Sequence, residues 1–208
     1  MIRSARLAPP SRAAALARLT LAAAVALVLG ACQTPPPAEE LPEMTFKHLP
    51  VLKFNVAAID IIEEFRSSGQ EPNVEQRWPV PPAEAAKRWA ADRLQAVGRA
   101  GSLTVLVQDG AVIERKLPKS GGLTGLVKIE QTEEYTATVA MTIQVRRQDG
   151  SVAASATAMA RRLRTTPENL SVTERRRVWY DMAEQLMADF NAEIEPRLKG
   201  ELGTYLSR

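Results

Sequence analysis

Two helices packed on one face of a mainly antiparallel sheet, in the order β-α-β-β-β-α, is the α+β fold that this sequence predicts for residues 51–208. Three observations predict it. From Tyr135 the residues alternate: Tyr135, Ala137, Val139, Met141, Ile143 and Val145 point one way, while Thr136, Thr138, Thr142, Gln144 and Arg146 point the other, as in a half-buried antiparallel strand. Gln148-Asp149-Gly150-Ser151 then carries an Asp-Gly hairpin signal, and the returning strand, Val152 to Leu163, sets Ala154, Ala156, Ala158 and Ala160 on one face, small enough for a helix to pack closely. That helix follows the capping-box pattern Ser171-Val172-Thr173-Glu174, with Val178, Met182, Leu186 and Phe190 every four residues beside Trp179, Met187 and Ile194.

The earlier elements follow in order. Val51 to Phe65 is rich in β-branched and aromatic residues and suits a strand with both faces largely covered; Ser67-Ser68-Gly69 ends it. Gln70 to Pro82, with Pro72, Pro79, Pro81 and Pro82, reads as a connecting loop that leaves Trp78 either a core plug or a recognition side chain. Ala83 to Val97 reads as a helix on the spacing of Ala86, Trp89, Ala90, Arg93, Leu94 and Val97, stopped by Gly98. Leu103 to Val107 is the next strand, continued by Ala111 to Leu117 after an Asp109-Gly110 break, and Pro118 to Gly125 is a loop. Trp89 and Trp179, on apolar helix stripes, are expected in the core.

The residues ahead of this domain have another character. Arg3, Arg6, Arg12 and Arg18 make a basic stretch without an acid, and Leu19 to Leu29 is an apolar run of about eleven residues, shorter than the about twenty that a membrane span needs. Residues 1–31 therefore read as a secretory signal. The chain's one cysteine stands at its end, in Leu29-Gly30-Ala31-Cys32, as a free thiol, a bystander of cleavage elsewhere, or a modified residue. Signal and tetrapeptide together resemble the lipobox of bacterial lipoproteins. The resemblance implies that small residues fit the signal peptidase and that Cys32 becomes an acylated first residue. Its two acyl chains would anchor the protein, at about 0.8 kcal/mol for each buried CH₂. Gln33 follows where aspartate is the inner-membrane retention signal of enterobacterial lipoproteins, which implies the outer membrane with the domain facing the periplasm. Residues 32–50 are then the lipidated cysteine and a tether containing five prolines, a spacer rising about 3.1 Å per residue and lying outside the core.

Cleavage changes the charge. Removing the four signal arginines from 27 Lys plus Arg leaves 23 against 24 Asp plus Glu, a formal charge of −1 in place of +3, so basicity gives no argument for nucleic-acid binding. With no second cysteine the domain has no internal disulfide and depends on its hydrophobic core.

The chemistry is narrow. The sole histidine, His48, falls in the tether, which excludes a Ser-His-Asp triad, a Cys-His pair or a His-rich zinc site within the fold. Glu63-Glu64 and Glu133-Glu134 are adjacent on strands, face opposite ways, and read as solvated strand ends. In Lys119-Ser120-Gly121-Gly122 the glycines follow the lysine and a strand comes next, so a hairpin loop fits better than a phosphate loop. No cofactor and no metal is implied, and the expectation is a non-enzymatic protein.

The residues that carry the functional expectation are Arg161, Arg162, Arg164, Arg175, Arg176 and Arg177. They come from the end of the last strand and the start of the last helix and are expected to gather at one end of the domain. They form either a solvated basic face or a contact for an anion, a lipid headgroup or an acidic partner. A lipobox followed by this order of elements is similar to the small α/β lipoproteins of Gram-negative envelopes that serve lipopolysaccharide assembly or lipid-transporting ABC systems. The resemblance implies an adaptor with the membrane and an envelope protein as partners, and no nucleic acid. The other reading is a binding module for a lipid or cell-wall ligand. A deep apolar pocket would favour the ligand, and a flat surface or a sheet edge the adaptor.

Overall fold

The computed structural model describes residues 40–118, 131–167 and 169–207, and in it two helices cover one face of a mostly antiparallel sheet. Cys32 and Lys119 to Gly125 lie outside the described residues. The strands are β1 Leu52–Phe54, β2 Ala58–Glu63, β3 Leu94–Ala96, β4 Ser102–Asp109, β5 Val112–Lys116, β6 Gln131–Arg146 and β7 Val152–Pro167; the helices are α1 Pro82–Arg93 and α2 Val172–Glu201.

The alternation from Tyr135 is the inner face of β6, with Tyr135, Ala137, Val139, Met141, Ile143 and Val145 all buried. β7 returns antiparallel along its full length through the expected turn. There Gly150 takes a φ of 80°, which glycine adopts without a Cβ clash, and Arg147 N–H donates to the Ser151 carbonyl at 2.9 Å. On the other side of β6, β4 pairs with its C-terminal half and β5 with its N-terminal half, so that β5 continues β4 after the Asp109-Gly110 break, as the sequence suggests; the register shifts just before it, between Val107 and Asp109. Gly110 sits in that break against the start of α1. A Cβ built on it would lie 2.6 Å from Ala83 Cβ and 2.8 Å from Ala83 N, so the sheet meets the helix start closely only because no side chain intervenes. β2 completes the sheet, parallel to β4.

Four expectations are corrected. Val51 to Phe65 is two strands. β1 leaves the main sheet to pair in parallel with β3, and β2 is an edge strand with Ile62 46% exposed, because the helices cover only one of its faces. The first helix ends at Arg93. Leu94 turns to extended backbone and joins β1, and strand pairing with burial of Leu94 outweighs continued helical spacing. The proline-rich connector is structural: Val74 N–H donates to the Val112 carbonyl and Glu114 N–H to that of Pro72, both at 2.9 Å, which closes the outer edge of β5. Lastly, the spacer does not reach residue 50. Met44 and Phe46 are buried, Leu41 and Leu49 pack on the core, and Phe46 N–H donates to Asp92 Oδ2 at 2.8 Å.

The last helix begins as expected. Ser171 Oγ accepts from Glu174 N–H at 3.2 Å while Glu174 Oε2 accepts from Ser171 N–H at 2.8 Å. Its Trp179, Met182, Leu186, Met187, Phe190 and Ile194 are buried, and it makes its most extensive contacts with β7, where Ala156, Ala158 and Ala160 are buried beneath it. Trp78 is a core plug, stacked on Trp179 with centroids 6.1 Å apart, and Trp89 meets Phe190 edge to face at 5.5 Å. No helix among the described residues is long and apolar enough to cross a membrane.

Candidate functional site

Strand parity decides where the arginines go. Even positions of β7 face α2, so Arg162 and Arg164 follow Ala156, Ala158 and Ala160 onto the helix side, while Arg161 points to the uncovered face between Met159 and Leu163. Arg162 is answered by an ion pair with Asp189 of α2. Arg164 stands opposite Tyr135 in the β6–β7 ladder. Neither Arg161 nor Arg164 has a carboxylate partner among the described residues.

The helix period separates the other three. Arg175 turns inward, where its guanidinium donates to the Tyr135 hydroxyl at 2.9 Å and forms an ion pair with Glu133. Arg176 and Arg177 lie on the exposed side. The six arginines therefore occupy four surroundings instead of one patch. Glu133 and Glu134 do face opposite ways, but neither is merely solvated. Glu133 accepts from Tyr135 Oη at 2.8 Å and Thr166 Oγ1 at 3.3 Å as well as from Arg175, and Glu134 accepts from Arg115 Nη2 at 2.7 Å. Burial, and then the Glu133 carboxylate, push the Tyr135 phenol above its usual range. Burial first and Glu133 second also raise Glu114, whose nearest cation is Arg77 at 3.6 Å. This polar cluster ties β5, β6 and the start of α2 together.

What sequence reasoning missed is the outer side of β7. Its odd positions expose Met159 and Leu163, by 62% and 58%, on a sheet face that neither described helix covers. Leu163, Thr136 and Ile113 make one row across β7, β6 and β5 on that face. The signal was available in the alternation that located the alanines. Beyond the side chains, β7 pairs only with β6, and its other edge makes no backbone hydrogen bond to the described residues.

The concavities are modest. An apolar groove between the 44–49 segment and α2, lined by Met44, Phe46, Leu49 and Met187 and rimmed by His48 and Glu184, encloses about 180 Å³. An open depression of about 450 Å³ at the hairpin end is lined by Asn55, Arg146, Arg147 and Asp149. Among the described residues no three His, Cys, Asp or Glu side chains are grouped to hold a metal ion.

No protein-family model matches the chain, and no curated protein matches it. Among solved structures it is similar to a minor lipoprotein from Acinetobacter baumannii, with 14% identity over 69% of this chain and 94% of that one and a TM-score of 0.28.

Proposed function

We propose that this chain is a lipid-anchored envelope protein. Cys32 is acylated and holds the α+β domain at the outer membrane, facing the periplasm, where it acts as a non-enzymatic adaptor in envelope assembly or lipid transport. The anchor rests on the basic stretch, the apolar run and the Leu29–Cys32 tetrapeptide. The adaptor rests on one observation: the accessible features are a long sheet edge and an open sheet face. The apolar groove, at about 180 Å³, falls below the about 300–1,000 Å³ of a drug-sized ligand site, and the depression of about 450 Å³ at the hairpin end is open and lined by Arg146, Arg147 and Asp149 instead of being a deep apolar pocket, which favours protein contact over ligand capture.

The anchor and the adaptor are tested in the same cells. Cys32→Ser should leave the protein unacylated, either soluble or unprocessed, with its domain folded; retention in the membrane after correct cleavage would refute the lipid assignment. Crosslinking in intact cells, with mass spectrometry of the adducts, should join the domain to a specific envelope protein. Adducts confined to lipid would favour the binding-module reading instead.

A further inference from the structure

The sheet has three outer edges, and two of them are protected. β2 is six residues long and carries Asp60 and Glu63, with Glu64 directly after it, a short charged edge of the kind that discourages pairing. The edge of β5 is closed by residues 72–74 through the Val74 and Glu114 hydrogen bonds. β7 has neither device. It is sixteen residues long, about 50 Å at about 3.3 Å per residue, and Val152 to Ala160 contains no charge, no proline and no glycine. The pairing to β6 shifts register once, at Ala153, and from Ala154 to Ala160 it is free of bulges.

We infer that the free edge of β7 is a strand-acceptor site that takes up an extended segment of a different protein, uncharged where it runs beside Val152 to Ala160 and carrying carboxylates beside Arg161 and Arg164. This deepens the adaptor reading and rests on it. Main-chain hydrogen bonds supply the attachment and the flanking side chains supply the choice of partner, as in other strand additions. The chemistry of the partner follows from charge: Arg162 is already neutralised by Asp189, whereas Arg161 and Arg164 flank the edge on opposite faces without a carboxylate among the described residues. A strand laid there sends alternate side chains to both faces, so acidic residues at neighbouring positions reach both arginines.

A second copy of the chain fits less well. Two β7 strands pairing antiparallel about a twofold axis keep both helix layers on the same side. Neighbouring strands lie about 4.8 Å apart, but packed helices need about 8–10 Å, and each α2 already sits over its own β7. A lone extended segment brings no helix with it.

The probe is a synthetic ten-residue peptide of alternating threonine and valine ending in two glutamates, added to the full chain carrying Cys32→Ser. Companion peptides replace the glutamates by lysines or methylate alternate backbone nitrogens. Fluorescence anisotropy gives affinity, and hydrogen exchange read by mass spectrometry locates the site. The glutamate peptide should bind and protect amides of residues 152–164. Lysine replacement, backbone methylation, or Arg161→Gln with Arg164→Gln in the protein should each weaken binding by about tenfold. Equal binding of the glutamate and lysine peptides, no binding at millimolar concentration, or protection outside β7 would overturn the edge site. If a partner is crosslinked in cells while the peptide leaves β7 unprotected, the edge site falls and the adaptor stands. If the peptide protects β7 while no envelope protein is ever captured, the acceptor edge stands and the adaptor falls.

Discussion

Replacing Glu195 by glutamine should destabilise the domain by about 2 kcal/mol at neutral pH, with the loss fading in acid. Arg93 of α1 is 0% exposed beside the Trp89 ring, its carbon Cζ 5.7 Å from the ring centroid. Its Nη1 donates to Asn191 Oδ1 at 2.7 Å and its Nη2 to Glu195 Oε2 at 2.9 Å, while Trp89 Nε1 donates to the same Asn191 oxygen at 3.0 Å. Among the described residues Glu195 is thus the sole carboxylate paired with this buried cation, which also clamps α1 to α2. Lys199, and after it Arg93, lower the Glu195 carboxyl from 4.5 to about 2. At about 1.4 kcal/mol per unit this corresponds to about 3 kcal/mol. The Lys199 contact lies on the surface, and Glu195 keeps 24% of its side chain in water, so screening reduces the expected cost to about 2 kcal/mol. The sign follows from the lowered pKa: the stabilisation is fully present above about pH 4.5 and disappears as pH falls toward 2. Urea unfolding of the Cys32→Ser protein with and without Glu195→Gln, from pH 7 down to pH 3, measures it. A difference that is the same at pH 7 and pH 3, or no difference at neutral pH, would refute the reasoning.

Two further substitutions test the packing. Ala156→Leu forces four heavy atoms into place of a methyl beneath α2 and should cost about 1–3 kcal/mol in thermal unfolding; an unchanged midpoint would mean that α2 does not seat on the alanine face. Gly110→Ala must displace the backbone of Ala83 and should cost a similar about 1–3 kcal/mol, whereas Gly200→Ala, whose Cβ meets nothing within 4 Å in a helix, should be neutral or gain up to about 1 kcal/mol. Equal midpoints for the two glycine variants would count against the close approach of Gly110 to Ala83.

The parts of the fold that were legible are those where one periodicity holds for many residues. β6 and β7 are each sixteen residues long and α2 is thirty, so period two or period 3.6 repeats often enough to assign the faces and the cap. The parts misread are short and decided by distant partners. Leu94 has the spacing of a helix residue and the environment of a strand residue, because β1, some forty positions earlier, offers it a ladder. Val51 to Phe65 has the composition of one buried strand, yet Asn55 to Ala57 redirect the chain between two sheets. Met44 and Phe46 were hidden by the prolines around them, although two large apolar residues in a supposed spacer were the available warning. Glu75 is similar: its burial in the connector becomes intelligible only once Val112 N–H, 3.1 Å away, and the Ser67 hydroxyl are seen to supply its hydrogen bonds.

The arginines illustrate why proximity in sequence is a poor measure of shared purpose. Consecutive strand residues face opposite sides, and consecutive helix residues turn by about 100°, so a run such as Arg175-Arg176-Arg177 divides by geometry between core and solvent. Arg175 is held where Glu133, Tyr135 and Thr166 already form a polar cluster, and without that cation the Glu133 carboxylate would lose its ion-pair partner. Arg162 fastens the edge strand to α2 through Asp189. Both are explained by stability alone. Among the described residues Arg161 and Arg164 lack such an explanation, and they stand where the sheet leaves its longest edge unpaired. A two-layer fold covers one sheet face with helices and must leave the other face and at least one edge to solvent or to partners. In this chain the short edge is charged and the β5 edge is closed, which leaves β7 as the place where further backbone pairing and unanswered positive charge coincide.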